Sequence, residues 1–169
     1  GKGIITNQMA QHCEKVVAVE YDRNLYNALS RLFADAKNVE ILYGDFLKTD
    51  LPSQSEYKIF SNIPFNLSAD ILTKITQAPN PPQCSWLIVQ EETAEKYAGA
   101  PYGEERFRSL ILKPRFNLQI LHRFKPTDFL PTPKVNVVLL KIALHKHFYL
   151  APNEEKIYRD FIAYVFSHS

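Results

Sequence analysis

The first two thirds of the chain alternate short β-rich runs with segments of helical periodicity, and this alternation constrains the fold more than any other feature. We predict strands at Val16–Glu20, Val39–Tyr43, residues 57–61 and residues 86–89. Behind an N-cap at Asp22, apolar residues recur at helical spacing, at Leu25, Leu29, Leu32 and Phe33. Strands separated by helices pair in parallel through crossovers, so the sequence predicts a doubly wound, Rossmann-like α/β sheet.

Beyond residue 112 the pattern changes to two longer strands, at residues 116–124 and 135–142. The loop between them is rich in proline (Pro126, Pro131, Pro133) and too short for a crossover helix. We therefore predict that these strands pair antiparallel, at the C-terminal edge of the sheet.

Helical spacing of apolar residues returns near the end of the chain, at Ile157, Phe161 and Val165. We expect one α/β domain over residues 1–150 and the first helix of a C-terminal helical domain over residues 151–169. Other helices are expected over residues 67–75 (capped at Asn66 or Ser68), 91–98 and 104–112.

The composition suits an ordinary globular domain, with 46% hydrophobic residues, 22% charged residues and a net charge of +2. No signal-peptide pattern and no membrane-spanning apolar run is present. Cys13 and Cys84 are far apart and belong to no cluster of metal ligands, so neither a disulfide framework nor a metal site is indicated. We expect a cytoplasmic, monomeric protein without a metal or a membrane partner.

Positive charge is concentrated between residues 113 and 147, where Asp128 is the only acid. Aromatic residues interleave with the basic ones, which is typical of a surface that faces nucleic acid. A solvated face on ordinary strands is the alternative. The residues expected to contact RNA phosphates are Lys113, Arg115, Arg123, Lys125 and Lys134.

Ligands of open α/β sheets bind beyond the carboxyl ends of the strands, so the residues at those ends are candidates for a site. Glu20 could accept both hydroxyls of a ribose, and Asp45 could accept from an adenine amine while Phe46 packs on the base. The pair Gly1 and Gly3 would let backbone approach a ligand closely. Taken singly, each of these residues also fits a plain turn or strand end.

The segment Asn62-Ile63-Pro64-Phe65 follows a predicted strand directly and carries the more specific chemistry. The exocyclic amine of adenine is a poor nucleophile because its lone pair is delocalised into the ring. Acceptors such as the Asn62 side-chain oxygen and the Ile63 carbonyl would favour a pyramidal nitrogen and stabilise its developing positive charge. Pro64 would fix the backbone, and Phe65 would offer a face to a base removed from its stack.

Five motifs together resemble those of the rRNA adenine N6-methyltransferases, in the same order along essentially the whole chain. They are GKGIIT from Gly1, VAVEYD from Val17, GDFL from Gly44, SNIPFN from Ser61 and DFLPTPKV from Asp128. The resemblance implies a methyltransferase domain over residues 1–150 that uses S-adenosyl-L-methionine and has ribosomal RNA as its partner.

The resemblance also implies roles for individual residues. Glu20 would bind the cofactor ribose, Asp45 and Phe46 its adenine, and Gly1 and Gly3 its methionine side. The residues expected to act on the target amine are Asn62, which would also border the cofactor, Ile63, Pro64 and Phe65. Phe129, in the proline-rich loop, would close the other side of the pocket that holds the target base.

Two branches of this family compete. The Erm-type enzymes methylate large-subunit rRNA and confer macrolide–lincosamide–streptogramin B resistance, whereas KsgA-type enzymes dimethylate small-subunit rRNA. Ile63, the segment RSLIL from Arg108 and the segment YRDFI from Tyr158 resemble the Erm branch more closely. We therefore expect an Erm-type enzyme, with the small-subunit enzyme as the alternative.

The chain departs from the family pattern in two places. Many relatives have Tyr where Phe65 stands, and loss of the hydroxyl leaves stacking intact. The family also begins earlier, with a strand that leads into E-x-G-x-G-K-G and lies between the strands near Val16 and Tyr57. We expect a fragment, truncated at both ends, that lacks this central strand.

Three other classes compete with this interpretation. DNA adenine N6-methyltransferases and protein glutamine methyltransferases also place Asn-x-Pro-aromatic after a strand, but usually with two prolines, and Ile63 argues against them. An RNA-binding relative without catalysis would be favoured by changes at Glu20 or Asn62, and both residues are present.

Overall fold

The computed structural model describes residues 1–151 and 153–168, and the chain divides into two compact units, Gly1–Leu51 and Pro52–Ser169. The first unit contains, in chain order, helix α1 (Ile4–Ala10), strand β1 (Val16–Glu20), helix α2 (Arg23–Leu32) and strand β2 (Val39–Tyr43). β1 and β2 pair in parallel, as the alternation of strands and helices predicts.

Helix α2 begins where the sequence predicts. The Asp22 carboxylate accepts hydrogen bonds from the N–H groups of Asn24 and Leu25, at 2.8 and 2.9 Å, which confirms the predicted N-cap. The apolar stripe is wrong at one position, because Leu32 is 63% exposed. Leu29 and Phe33, two other members of the predicted stripe, are buried, and Phe33 is the C-cap of the helix, at φ −106°.

The second unit contains a four-stranded sheet with helices and short 3-10 turns between its strands. The elements are β3 (Lys58–Asn62), a 3-10 turn (Phe65–Leu67), α3 (Ser68–Thr76), β4 (Cys84–Gln90), α4 (Glu91–Ala98), α5 (Phe107–Leu112), β5 (Phe116–Arg123), a 3-10 turn (Pro126–Asp128), β6 (Val137–Leu144) and α6 (Glu155–Ser167). The strand order is β3-β4-β6-β5.

The directions of these strands decide which loops share an edge. β3 and β4 are parallel, and β6 runs antiparallel to both β4 and β5, which confirms the predicted antiparallel pair. β5 therefore runs in the same direction as β4. The carboxyl ends of β3, β4 and β5, and the segments that follow them, lie at one edge of this sheet.

The core of the second unit is formed by the two central strands and α3. β4 reads as a nearly continuous buried run, as expected of a strand covered on both faces. The most deeply buried side chains include Leu72, Ile75, Leu87, Val89, Val138, Leu140 and Ile142. Packing of these chains holds the strand ends in place for any site built on them.

Several predicted boundaries shift by a few residues. The predicted cap of α3 is wrong, because neither Asn66 nor Ser68 caps it: a 3-10 turn precedes the helix, and the Ser68 hydroxyl donates back to the Pro64 carbonyl. The helix expected from residue 104 begins only at Phe107, since Ser109 Oγ accepts a hydrogen bond from the Arg106 N–H before the helix starts.

Two further features are the division of the strands into two sheets and the helix at the end of the chain. Among the described strands, β1 is hydrogen-bonded to β2 alone and β3 to β4 alone, so the strands form two separate sheets. Helix α6 forms where the apolar spacing predicts and leaves Ile157 and Phe161 largely exposed. Within the described ranges, no helix has the length and apolar character needed to cross a bilayer.

Candidate active site

The parallel register of the first unit brings two predicted site residues to the same sheet edge. Glu20 is the last residue of β1 and pairs with Tyr43, the last residue of β2. The N–H of Gly44 donates to the Glu20 carbonyl at 3.0 Å, and Asp45 follows directly. Two acidic residues therefore lie at the carboxyl ends of adjacent parallel strands, where α/β sheets bind ligands.

The Glu20 side chain is held in one orientation. Its Oε1 accepts a hydrogen bond from the Asp22 N–H at 3.0 Å. Burial raises the pKa of the Glu20 carboxyl, whereas hydrogen bonds from the backbone N–H groups of Asp22 and Tyr21 lower it. Glu20 is thus an ionised acceptor at neutral pH.

Asp45 forms a turn that displays the residues after β2. Its Oδ1 accepts from the Leu47 N–H at 2.9 Å, and its carbonyl oxygen accepts from the Thr49 hydroxyl at 2.9 Å. Phe46 lies half-buried within this turn. The turn thus occupies one carboxylate oxygen of Asp45 with the Leu47 N–H.

The two glycines at the start of the chain have different structural requirements. Gly3 lies at φ +80°, and a Cβ atom there would stand 2.7 Å from Cδ2 of Leu29 and 3.2 Å from Phe33. Only glycine satisfies both the left-handed backbone and the close packing. Gly1 has no atom within 4 Å of an added Cβ, so its position tolerates a side chain.

In the second unit, the segment from Asn62 to Phe65 leaves β3 with a fixed backbone. Asn62 ends the strand with an exposed side chain, whereas the Ile63 side chain is only 4% exposed. The Ile63 N–H donates to the Ile88 carbonyl on β4, at 3.3 Å. The Ser68 hydroxyl donates to the Pro64 carbonyl at 3.3 Å and closes the turn from its other side.

This arrangement leaves polar acceptors at the sheet edge. Among the described residues, neither the Asn62 side-chain oxygen nor the Ile63 carbonyl oxygen accepts a hydrogen bond. Phe65 opens the 3-10 turn and is partly exposed. Two acceptors and an aromatic ring thus follow one another over four residues.

Phe129 lies in the β5–β6 loop (residues 124–136), at the same sheet edge as Asn62. The 3-10 turn of this loop is closed by the Lys125 N–H, which donates to the Asp128 carboxylate at 2.8 Å. The Phe129 ring meets the Phe124 ring edge to face, with 5.4 Å between centroids. The two predicted sides of the base pocket, Phe65 and Phe129, therefore belong to segments at one edge of one sheet.

The five predicted RNA-contacting residues separate into two groups. Lys113 pairs with Glu105, Arg123 pairs with Glu91 at 2.6 Å, and the Arg115 guanidinium lies over Phe148. Within the described part of the chain, the remaining two side chains are exposed and form no ion pair: Lys125 and Lys134. Both of these lie in the β5–β6 loop.

Sequence reasoning missed Glu91, the first residue of α4. Its two carboxylate oxygens accept from Arg123 Nε at 2.6 Å and from Asn136 Nδ2 at 3.0 Å. The hydrogen bond from Arg123, followed by that from Asn136, lowers the pKa of Glu91 despite partial burial. The only available indication was an acid directly after a buried strand, which is also common in surface helices.

The side chains of Glu20 and Asp45 suit the ribose and the exocyclic amine of a nucleoside ligand. An ionised carboxylate on β1 fits the two hydroxyls of a ribose, and the Asp45 carboxylate fits an exocyclic amine. Among residues 1–151 and 153–168, no three His, Cys, Asp or Glu side chains are grouped as metal ligands.

Comparison with known structures defines the class of fold. The 23S rRNA methyltransferase ErmE matches 99% of this chain with a TM-score of 0.92 at 22% identity, over 67% of its own length. A dimethyladenosine transferase from Plasmodium falciparum matches 99% of the chain with a TM-score of 0.82 at 21% identity, over 61% of its length. The predicted Rossmann-like methyltransferase fold is confirmed.

The chain belongs to the ribosomal RNA adenine dimethylase family, whose model matches residues 1–168. It is 34% identical over 84% of its length to ribosomal RNA small subunit methyltransferase A of Synechococcus sp. strain JA-2-3B'a(2-13), of which it covers 52%. The protein of that name from Levilactobacillus brevis is 29% identical over 99% of the chain, which covers 60% of that relative. The chain thus spans about half to three fifths of these relatives.

Proposed function

We propose that this chain forms most of the catalytic domain of an enzyme that transfers a methyl group from S-adenosyl-L-methionine to the N6 amine of an adenine in ribosomal RNA. The observation that supports this most is the segment from Asn62 to Phe65, which leaves β3 with its backbone pinned by the Ile63–Ile88 hydrogen bond. Family membership and the residues at the edge of β1 and β2 support the same proposal.

The first unit supplies groups that fit the cofactor. Glu20, held as a carboxylate by the Asp22 N–H, accepts the ribose hydroxyls. Asp45 accepts from the adenine amine, and Phe46 packs against the base. The left-handed backbone at Gly3 lets the first turn approach the methionine side, with Gly1 before it. Bound S-adenosylmethionine supplies a methyl group that is electrophilic because it is attached to a sulfonium.

The second unit supplies groups that act on the target. The Asn62 side-chain oxygen and the Ile63 carbonyl accept hydrogen bonds from the adenine amine, favour a pyramidal nitrogen and direct its lone pair. The same acceptors stabilise the positive charge that develops on this nitrogen. Phe65 stacks on the extruded base from one side, and Phe129 closes the other. No general base is required, because the proton leaves for solvent after transfer.

The proposed substrate is large-subunit rRNA, with macrolide–lincosamide–streptogramin B resistance as the consequence. Ile63, the segment from Arg108 to Leu112 and the segment from Tyr158 to Ile162 favour this branch. The alternative is small-subunit rRNA, which is the substrate named for the Synechococcus and Levilactobacillus relatives.

Methyl transfer in vitro tests both the proposed methylation of rRNA and the proposed choice of large-subunit rRNA. The protein expressed from its complete gene is incubated with tritiated S-adenosylmethionine and, separately, 23S rRNA, 16S rRNA, duplex DNA and protein. We expect label in 23S rRNA that is mapped by primer extension to one adenine. Label in 16S rRNA alone would replace the large-subunit proposal with its alternative. Label in DNA or protein alone, or in no substrate, would refute rRNA methylation.

A further inference from the structure

The carboxylate of Glu91 joins both ends of the β5–β6 loop to the end of β4. Its Oε1 accepts from Nε of Arg123, the last residue of β5, at 2.6 Å. Its Oε2 accepts from Nδ2 of Asn136, the residue before β6, at 3.0 Å. The backbone N–H of Glu91 also donates to the Asn136 carbonyl at 2.9 Å. Glu91 therefore fixes the base of a loop whose start, at Arg123, is 32 residues away in sequence and whose end, at Asn136, is 45 residues away.

Contacts within this loop connect its anchored base to Phe129. The Lys125 N–H and the Asp128 carboxylate close a turn directly before Phe129, at 2.8 Å. The Phe129 ring packs on Phe124 at 5.4 Å, and Phe124 packs on His122 of β5 at 4.8 Å. A change in the angle of the loop base would thus carry the Phe129 ring with it.

We call Glu91, Arg123 and Asn136 the clamp; it contributes little to overall stability. The side chain of Arg123 is 61% exposed, and exposed ion pairs stabilise proteins only weakly. The carboxylate is also unsuited to proton transfer, since both of its oxygens accept hydrogen bonds and its pKa lies below the ordinary value. Glu91 is distinguished by its position, because one of its carboxylate oxygens binds the start of the loop and the other binds its end.

We propose that Glu91 is a positioning residue: by clamping Arg123 and Asn136 it holds the β5–β6 loop so that Phe129 meets the target base. This inference rests on the proposed rRNA methylation and adds a residue to it. The clamp acts on the RNA side of the reaction and leaves the cofactor side in the first unit untouched.

The test exchanges donor and acceptor within the clamp. In Glu91→Gln the ion pair with Arg123 becomes a neutral hydrogen bond, and the new amide nitrogen faces Asn136, whose own amide must turn over to accept from it. Adding Asn136→Asp returns a carboxylate to the clamp, which accepts from the amide nitrogen introduced at position 91 without any rearrangement. We expect Glu91→Gln to lower kcat/KM for rRNA about tenfold, as small misplacements do, with Kd for S-adenosylmethionine unchanged. The double variant should recover to within about threefold.

Hydrogen exchange of residues 124–136 gives a readout that is independent of activity. Exchange there should accelerate in Glu91→Gln and slow again in the double variant. The control is Glu92→Gln, because Glu92 is 75% exposed and pairs with Lys96 on α4, away from Arg123 and Asn136 in sequence. It should change neither loop exchange nor kcat/KM.

Three results would overturn the inference: unchanged kcat/KM in Glu91→Gln, an equal loss of cofactor affinity, or no recovery in the double variant. If the unaltered protein transferred no methyl group to rRNA, the proposed function would fail instead. Loop exchange would still decide whether the clamp exists.

Discussion

The N–H of Ile63 donates a hydrogen bond to the carbonyl oxygen of Ile88, at 3.3 Å, one residue beyond the end of β3. The bond continues the parallel pairing of Asn62 with Ile88 and ties the start of the Asn62–Phe65 segment to β4. The backbone that carries the proposed amine acceptors is thereby set by the sheet before any substrate arrives. Preorganisation of this kind is what makes such acceptors effective in a transition state.

Replacing Asn62 with alanine should reduce turnover far more than cofactor affinity. Loss of one preorganised electrostatic contact costs about 3–4 kcal/mol, or roughly a hundred- to a thousandfold in kcat. Single-turnover methylation of rRNA measures the first quantity, and calorimetric titration with S-adenosylmethionine the second. Asn117→Ala, on the exposed side of β5 at its opposite end, should leave both unchanged. A turnover within threefold of the unaltered protein would remove Asn62 from the mechanism.

Phe65 should tolerate tyrosine but not alanine. The proposed role requires only a flat ring, so Phe65→Tyr keeps kcat/KM near its original value. Phe65→Ala loses base stacking, which is worth about 1–3 kcal/mol. Steady-state kinetics with an rRNA fragment measures both variants. Equal activity of the alanine and tyrosine variants would show that Phe65 does not stack on the target.

The salt dependence of RNA binding should depend on Lys125 and Lys134 together. These exposed lysines form no ion pair within the described residues, so both are available to phosphates. Removing two phosphate contacts should reduce the slope of log K against log salt by about 1.4–1.8, since each contributes about 0.7–0.9. Filter binding over a range of KCl concentrations measures the slope. Lys113→Ala should change this slope less, because Lys113 is paired with Glu105. A larger change in slope for Lys113→Ala than for the double lysine variant would show that RNA does not bind at the β5–β6 loop.

Gly3 and Gly1 should respond differently to alanine. A side chain at φ +80° costs about 1–2 kcal/mol, and the clash with Leu29 at 2.7 Å adds to that cost. Gly1→Ala meets no atom within 4 Å and should change the free energy of unfolding by less than about 0.5 kcal/mol. Urea denaturation at neutral pH compares the two variants. Equal stabilities would mean that the backbone at Gly3 is not left-handed in solution.

Glu105 should contribute to the loss of stability in acid. Burial raises the pKa of its carboxyl, but hydrogen bonds from Lys113 and Ser109 outweigh burial and lower it below 4.5. A depressed pKa stabilises the fold above the unfolded value and loses this effect as the pH falls through the folded value. Glu105→Gln should therefore flatten the decline of stability below about pH 4.5. Thermal denaturation between pH 3 and pH 7 measures it, and a profile identical to that of the unaltered protein would contradict the prediction.

Local patterns in the sequence determined most of the elements. The cap at Asp22, the parallel strands β1 and β2, the helix from Glu91 to Ala98 and the antiparallel pair β5 and β6 all form where predicted. Each of these depends on interactions between residues close in sequence or on a loop too short for any other connection. The family motifs also placed the proposed site at the strand ends.

Only the tertiary structure decided what the charged residues do. Arg123 and Lys113 stand in a basic stretch, yet each is bound to an acid, Glu91 or Glu105. The partner of Asn136 lies 45 residues away, and its choice follows from the strand order β3-β4-β6-β5. Hydrophobic periodicity predicts which face of an element is buried, but it does not predict which distant side chain a polar group will contact. That pairing is decided when strands from different parts of the chain reach the same edge of the sheet.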